Sequence, residues 1–219
     1  MLTLRSLFVR RGRILVSMAQ RIDIVDIYSG DDPVDFHAIA AAGAVGVILK
    51  ATQGSTYNDP NFAEYRSRAL TVFDAGCVHS YHFLDDTDAE TQMAHYVSVT
   101  QGMPGRWLDY EENPDGDTCT LATAVAACHI LQGKQGSFPG MYGSDADLLG
   151  AALDAGHFTV CPLWIARYRP EPPDHACQLW QFSEGVAGDP TISGKLYDLD
   201  SYLNGDSAAC QAWLRSLAQ

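Results

Sequence analysis

Asp109 and Glu111, separated only by Tyr110 in the run Trp107 to Glu112 (WLDYEE), are the residue pair in this chain best spaced to do chemistry together. Side chains alternate along an extended strand, so residues i and i+2 project to the same side, roughly 7 Å apart. Two carboxyl groups facing one cavity disfavour ionising both, so at least one pKa rises and that group can stay protonated as a general acid. A protonated acid beside a carboxylate is the pairing glycoside hydrolysis requires: one group protonates the leaving oxygen, and the other stabilises or traps the oxocarbenium-like centre. Asp26 and Asp198 also fall at the ends of strand-like runs. One such acid alone usually caps a helix or faces water, but four at strand ends of one barrel point to a site. Glu112 should point the opposite way, into solvent. Asp31, Asp32, Asp85, Asp86 and Asp88 sit in polar loop clusters and read as caps or turn residues.

The elements that must position these acids follow from the alternation of short β-branched or aromatic runs with longer amphipathic stretches. Eight strands are expected, at Ile22 to Ile27, Val45 to Lys50, Val78 to Phe83, Arg106 to Glu111, Gly140 to Tyr142, Val160 to Ala166, Ala176 to Phe182 and Lys195 to Leu199. Helical patterns lie between them at Val34 to Ala42, Asn61 to Ala75, Ala89 to Thr100, Leu121 to Gly133 and Asp145 to Ala155. Asp59-Pro60 marks a helix start, and Gly43, Gly76 and Gly133 sit where helices should stop. After the fifth strand the helices fade, and the links at Arg169 to His175 and Gly185 to Gly194 are rich in Pro, Gly and Asp. The expected fold class is therefore α/β: a single TIM-like parallel barrel of eight strands with about five full crossover helices. In such barrels functional groups gather at the C-terminal ends of the strands.

With 219 residues, 47% of them apolar, the chain can bury one substantial core. A formal charge of −13 repels phosphate backbones and anionic lipid, so nucleic acid and membrane surfaces are poor partners. No apolar run reaches the length that spans a bilayer. The start of the chain differs from the rest: residues 1–20 carry Arg5, Arg10, Arg11 and Arg13 among short apolar runs, and their composition fits neither a secretory signal nor the domain. They read as a basic, poorly ordered extension, with Met18 an alternative start, and residues 21–219 as the barrel domain. The six cysteines contain no C-x-x-C pair and read mainly as buried small apolar residues.

Aromatic residues interleave the acids at strand ends: Tyr81 and Phe83, Tyr142, Trp164 and Tyr168, Trp180 and Phe182. Sugar faces pack against such rings, although aromatic strand residues are more often core. His79 and His82 form H-x-x-H, but on a strand they point to opposite faces, which is poor metal geometry. The G-x-x-G at Gly43 to Gly46 precedes a strand and so is no phosphate loop, and neither a Walker A sequence nor G-x-S-x-G occurs. No metal and no cofactor are expected.

Across nearly all of residues 21–205 the chain resembles the glycoside hydrolase family 25 lysozymes, or muramidases, which include phage endolysins. The matching stretches are VDIYSGD (Val25 to Asp31), AAGAVGVILKATQGSTYNDPNF (Ala41 to Phe62), YHF (Tyr81 to Phe83), LDYEE (Leu108 to Glu112), PLWIARY (Pro162 to Tyr168), LWQFSEG (Leu179 to Gly185) and YDLDSYLNG (Tyr197 to Gly205). The resemblance implies an eight-stranded barrel with about five crossover helices. It also implies cleavage of the β-1,4 bond between N-acetylmuramic acid and N-acetylglucosamine. By matching motif, Glu111 takes the place of the catalytic acid and Asp109 that of the second carboxylate. Asp26 and Asp198 take the places of two further acids, and Tyr81, Tyr142, Trp164 and Gln181 those of residues around the saccharide.

Two departures stand out. The loop after the first strand reads Asp26-Ile27-Tyr28-Ser29-Gly30 in place of the usual Ser-His type, and Asp200 stands where the family usually has Asn. Peptidoglycan glycan strands are the expected partner of a chain acting as a monomer on the cell wall, outside the cytoplasmic membrane. A non-catalytic glycan-binding barrel, or a hydrolase of chitin-like N-acetylhexosamine polymers, are the alternative readings.

Overall fold

In the structure, a computed structural model, residues 20–114 and 116–217 are described. The basic segment at residues 1–19, expected to be a poorly ordered extension, lies outside these residues. Eight strands form the barrel: β1 (Ile24–Ile27), β2 (Gly46–Gln53), β3 (Val78–Phe83), β4 (Arg106–Asp109), β5 (Gly140–Ser144), β6 (Leu163–Ala166), β7 (Leu179–Glu184) and β8 (Asp198–Tyr202). Five crossover helices join the first six: α1 (Phe36–Ala41), α2 (Phe62–Ala69), α3 (Ala89–Val99), α4 (Leu121–Gln135) and α5 (Leu148–Asp154). Neighbouring strands from β1 through β7 run parallel, and β1 pairs with both β2 and β8, so the sheet closes on itself.

The last strand corrects the expectation of an all-parallel barrel, in which Asp198 would lie near the end of a strand at Lys195 to Leu199. β8 is antiparallel to both β7 and β1, and Asp198 is its first residue. The reason lies in the connection. Between β7 and β8 the chain forms a small ribbon, Thr191–Ile192 against Lys195–Leu196, which turns it straight back. A hairpin return makes an antiparallel neighbour and needs no crossover helix. Because the strand is reversed, its start sits at the mouth where β1 to β7 end, and Asp198 pairs with Asp26 in register.

The link from β6 to β7 also lacks a helix and is pinned by Asp145 instead. This carboxylate accepts the Asp174 amide at 2.7 Å and meets the His175 ring at 2.5 Å and Arg167 Nη1 at 3.3 Å. Elsewhere the helix starts follow the capping rule: Asp35, Asp88 and Thr120 accept the amides of Ala38, Thr91 and Thr123. Each cap contributes about 1 kcal/mol. Two helix ends differ from expectation. α2 stops at Ala69, well before Gly76, and α4 runs through Gly133 to end at Gly136, whose φ of 84° is the left-handed conformation that glycine tolerates.

Strand alternation divides the core into two layers. Val47, Leu49, Met141, Ile165 and Leu199 face outward against Tyr65, Met93, Tyr96, Leu131 and Leu149 of the helices. Ile24, Ile48, Trp107, Trp164 and Leu179 face inward. Trp107 and Trp164 meet edge to face at 5.7 Å, and Trp107 lies so close to Gly140 that a Cβ there would stand 2.1 Å from its ring.

A sixth helix, α6 (Ser207–Ser216), was not expected from the sequence. It buries Cys210 and Leu214 in the inner layer and sets Trp213 at 6.0 Å from Trp107, plugging the end of the barrel opposite the acids. Asp206 caps it, accepting the Ala209 amide. All six cysteines are buried thiols. If α6 completes the inner core, Leu214→Ala should destabilise the protein by about 2–5 kcal/mol, as for other buried leucine truncations. Denaturant unfolding checks this, and a loss below about 1 kcal/mol would show that the plug is dispensable.

Candidate active site

β4 carries Trp107 inward, Leu108 outward and Asp109 inward. The strand ends at Asp109, two residues earlier than expected. The Tyr110 amide still donates to the Tyr142 carbonyl at 2.9 Å, so the alternation carries on and returns Glu111 to the same side. Glu112 faces solvent, as its position predicts.

The same inward alternation operates on the seven other strands, and the result is one cavity of about 210 Å³ at the C-terminal mouth of the barrel. All four acids line it: Asp26 from β1, Asp109 and Glu111 from β4, Asp198 from β8. Tyr81, Tyr142, Trp164 and Gln181 line it too, so the eight residues singled out in the sequence meet at one place. Tyr28, Lys50 and Phe83 complete the wall. Trp180 and Phe182 do not reach it; as neighbours of inward-facing Gln181 they face the outer layer and are core.

A hydrogen-bond relay organises the β1 side. Tyr142 Oη and Tyr168 Oη both donate to Gln181 Oε1, at 2.6 and 2.8 Å. Their two donations fix the amide so that Gln181 Nε2 donates to Asp26 Oδ2 at 2.9 Å. Tyr142 leans on Trp164 with ring centroids 4.2 Å apart, and Tyr81 meets Trp164 edge to face at 6.4 Å. Trp164 is itself almost wholly buried and backs the wall, whereas Tyr28 and Tyr168 are half exposed at the rim.

Crowding and burial push all four acids above the ordinary carboxylate range. Burial raises Glu111 to about 7, with Asp147 adding to the shift, and burial with the nearby Asp31 and Glu184 raises Asp198 to about 7. Asp109 and Asp26 are buried more completely, and burial raises both well above that range. Glu111 reinforces the rise at Asp109 while Lys50 opposes it, and Asp198 and Asp200 reinforce the rise at Asp26. The Asp109–Glu111 pair therefore retains a proton near neutrality. Glu111 is the member in contact with solvent, the one from which a proton can reach a bound oxygen. The arrangement is that of a carboxylic acid and carboxylate site able to protonate a leaving group and steady a developing cation.

Lys50 and Tyr28 escaped the sequence reading. Lys50 sits on β2 between residues that read as an ordinary buried strand, yet its ammonium faces the cavity, donates to Gln53 Oε1 at 2.9 Å and lies 5.1 Å from the Phe83 ring centre. His79 and His82 take opposite faces, as expected. Trp107 Nε1 donates to His79, His82 contacts Thr52 and Gln92, and burial lowers both rings to about 4. Among the described residues, no group of three His, Cys, Asp or Glu side chains is arranged to hold a metal ion.

Two wider depressions flank the cavity. One, of about 560 Å³, shares Tyr28 and Lys50 with it and continues past Tyr57, Asp85 and Asn113. The other, of about 350 Å³, opens beyond Tyr168 over Ser144, Asp145 and Arg167. The acid cavity thus opens past Tyr28 and Lys50 into the first of these depressions.

A barrel whose mouth presents buried carboxyl groups within ring-lined walls has the build of a carbohydrate-cleaving enzyme. The family model for "Glycosyl hydrolases family 25" matches residues 25–188, and the chain belongs to that family. The autolytic lysozyme of Clostridium acetobutylicum is 34% identical over 197 residues, which are 83% of this chain and 56% of that protein, so the chain spans about half the relative's length. The fold matches the bacterial lysozyme from Streptomyces coelicolor with a TM-score of 0.77 at 18% identity, covering 91% of this chain and all of that one. It matches the catalytic domain of an endolysin from a Listeria monocytogenes bacteriophage with a TM-score of 0.71 at 17% identity, covering 90% and 98%. Asp198 lies outside the stretch matched by the family model; the reversed β8 is what brings it to the other acids.

The raised Glu111 pKa has a consequence for stability. Between the ordinary carboxylate range and about 7, the folded protein binds a proton at Glu111 that the unfolded chain releases, so this group's contribution is lost as pH rises. His79 and His82, lowered by burial, act in the opposite sense, so the effect is read as a difference between variants. Glu111→Gln should match wild type in Tm near about pH 5 and exceed it near about pH 8. A Tm difference that does not change with pH would show that Glu111 titrates normally.

Proposed function

We propose that this protein is a lysozyme, an N-acetylmuramidase that hydrolyses the β-1,4 bond between N-acetylmuramic acid and N-acetylglucosamine in peptidoglycan. The observation that carries this reading is the inward convergence of Asp26, Asp109, Glu111 and Asp198 on one cavity that opens into a wider depression. Family membership and the name of the Clostridium relative support it. Glu111 protonates the glycosidic oxygen. Asp109, with Asp26 or Asp198, stabilises the positive charge at the anomeric carbon. Tyr81, Tyr142 and Trp164 form the wall for the sugar ring, and Gln181 holds Asp26. The depression that continues from the cavity past Tyr28 and Lys50 gives room for further sugar units of a polymer.

The enzyme acts as a monomer on glycan strands of the cell wall, outside the cytoplasmic membrane. No helix among the described residues is long and apolar enough to cross a membrane. Since the substrate is reached without a cationic surface, activity should fall less steeply with salt than that of a basic lysozyme.

The wild-type protein is expected to release reducing ends from purified peptidoglycan and not from chitin. Cleavage of chitin alone would replace this reading with that of an N-acetylhexosamine polymer hydrolase, and binding without cleavage of either would make the barrel a glycan-binding module. Glu111→Gln should lower kcat by about 100-fold or more while the protein stays folded, since the transferred proton is gone. For the same reason wild-type kcat should decline as pH rises through about 7. Near wild-type turnover by Glu111→Gln would remove Glu111 from the acid role.

A further inference from the structure

Beneath the four acids lies a fifth carboxyl group, that of Asp200, which the mechanism above does not use. On β1, Ile24 and Asp26 face the barrel interior while Val25 and Ile27 face the helices. On the adjoining β8, Asp198 and Tyr202 face inward and Leu199 outward, and after a bulge at Leu199/Asp200 the Asp200 side chain also enters the interior. Asp200 is fully buried. Its Oδ1 accepts Trp164 Nε1–H at 2.6 Å, and its Oδ2 accepts from no donor among the described residues. Asp26 stands within side-chain hydrogen-bonding reach of Asp200.

Two carboxyl groups in contact inside a protein cannot both be acceptors. If both were ionised, two like charges would face each other with most of their hydration removed, at a cost of several kcal/mol per ion. The charged side chains acting on Asp200 are Asp26 and Asp23 from β1 and the segment before it, and Asp198 on its own strand. All are acids, and Asp23 is engaged with Arg21. Three donors serve the pair if one of them is a proton: Trp164 to Asp200, Gln181 to Asp26, and a hydroxyl between the two carboxyls. The proton belongs on the deeper member. Asp26 touches the cavity and keeps the amide of Gln181, whereas Asp200 has no solvent contact.

We propose that Asp200 is a positioning residue that stays protonated at neutral pH and donates a hydrogen bond to Asp26, so that the pair carries a single negative charge on the cavity side. Its catalytic relevance rests on the reading that Asp26 helps steady the cationic centre. With Gln181 and Asp200 both donating, Asp26 is fixed in orientation and its charge is confined to the face that meets substrate. Burial, the largest influence, favours the neutral form of Asp200 together with the nearby Asp198 and Asp23, and it outweighs the hydrogen bonds with Trp164 and Asp26, which favour the ionised form.

Asp200→Asn tests the idea, because the amide reproduces the donor to Asp26 and the acceptor for Trp164 yet has no proton to lose. Infrared difference spectra of wild type against Asp200→Asn at neutral pH should show one protonated-carboxyl carbonyl band that the variant lacks, with the absorption of the Asp109–Glu111 pair cancelling between them. The Tm advantage of Asp200→Asn over wild type should grow steadily from about pH 4 to about pH 8, because only the wild-type fold must hold a proton that its unfolded chain releases. In turnover, Asp200→Leu should lower kcat about tenfold or more with little change in KM, and Asp200→Asn should restore most of the loss. Absence of the band, or a Tm difference independent of pH, would overturn the proposal by showing that Asp200 is ionised. Because the band and the Tm difference report the proton alone, they stand even if the protein cleaves a substrate other than peptidoglycan.

Discussion

The structure depends on holding several carboxyl groups together where water can barely reach them and few positive charges offset them. Asp26, Asp109 and Asp200 are buried, Glu111 and Asp198 nearly so, and Lys50 is the cation that shares their cavity. An ordinary surface would not raise the affinity of such groups for protons, because solvation keeps each acid near its usual range. Burial at a barrel mouth does so, by penalising the ionised forms. The same burial opposes folding, so the remainder of the molecule must supply a large apolar surplus. It does this with two concentric layers, the outer between sheet and helices and the inner from Ile24 and Ile48 down to the α6 plug.

Closure of the sheet links that surplus to the chemistry. The reversed β8 joins β7 to β1, and it is also the strand that carries Asp198 and Asp200. One hairpin therefore closes the barrel and delivers two of the five acids, and strand pairing fixes their positions relative to Asp26. The relay of Tyr142, Tyr168 and Gln181 adds directional control from β5, the β6–β7 connection and β7, ending on Asp26. Carboxyl positions are thus set mostly by backbone registry and only finally by side-chain hydrogen bonds, which is why groups that repel one another can be held in place.

Much of this was legible in the sequence, for a physical reason: alternation is local. The D-x-E spacing at Asp109 and Glu111 alone dictates a shared face, and eight β-rich runs with five helical intervals reproduce the strand and crossover pattern. For Asp198 the sequence points to the mouth through a parallel eighth strand that would end near it, and among the described residues the structure has no such strand. Asp198 reaches the mouth because the strand is reversed and it comes first. The boundaries of α2 and α4 were misplaced because glycine signals a stop only where the backbone turns left-handed, as at Gly136 and not at Gly133. Helix α6 carries a helical pattern of its own, with Ala209, Cys210, Trp213, Leu214 and Leu217 on the face that meets the inner layer, so this element was legible and the sequence reading passed over it. Lys50 and Trp180 show the same limit from two sides: one is a cation on a strand that faces a cavity, the other an aromatic residue at a strand end that faces the helices.

Asp200 marks where local reading ends. By residue type and spacing it is one more acid of a D-x-D pair, a unit of negative charge added two residues from Asp198. Its character comes from groups distant in sequence: the Trp164 indole on one oxygen and Asp26 beside the other. A carboxyl group surrounded this way behaves as a neutral hydrogen-bond donor rather than as an anion. The formal charge of −13 therefore overstates what the site presents to a ligand near neutrality, because Asp200 and one member of the Asp109–Glu111 pair hold protons. Wherever carboxyl groups are packed this closely, the number of negative charges is set by how many N–H donors and cations the neighbouring strands aim at them, and only afterwards by the number of aspartates and glutamates in the chain.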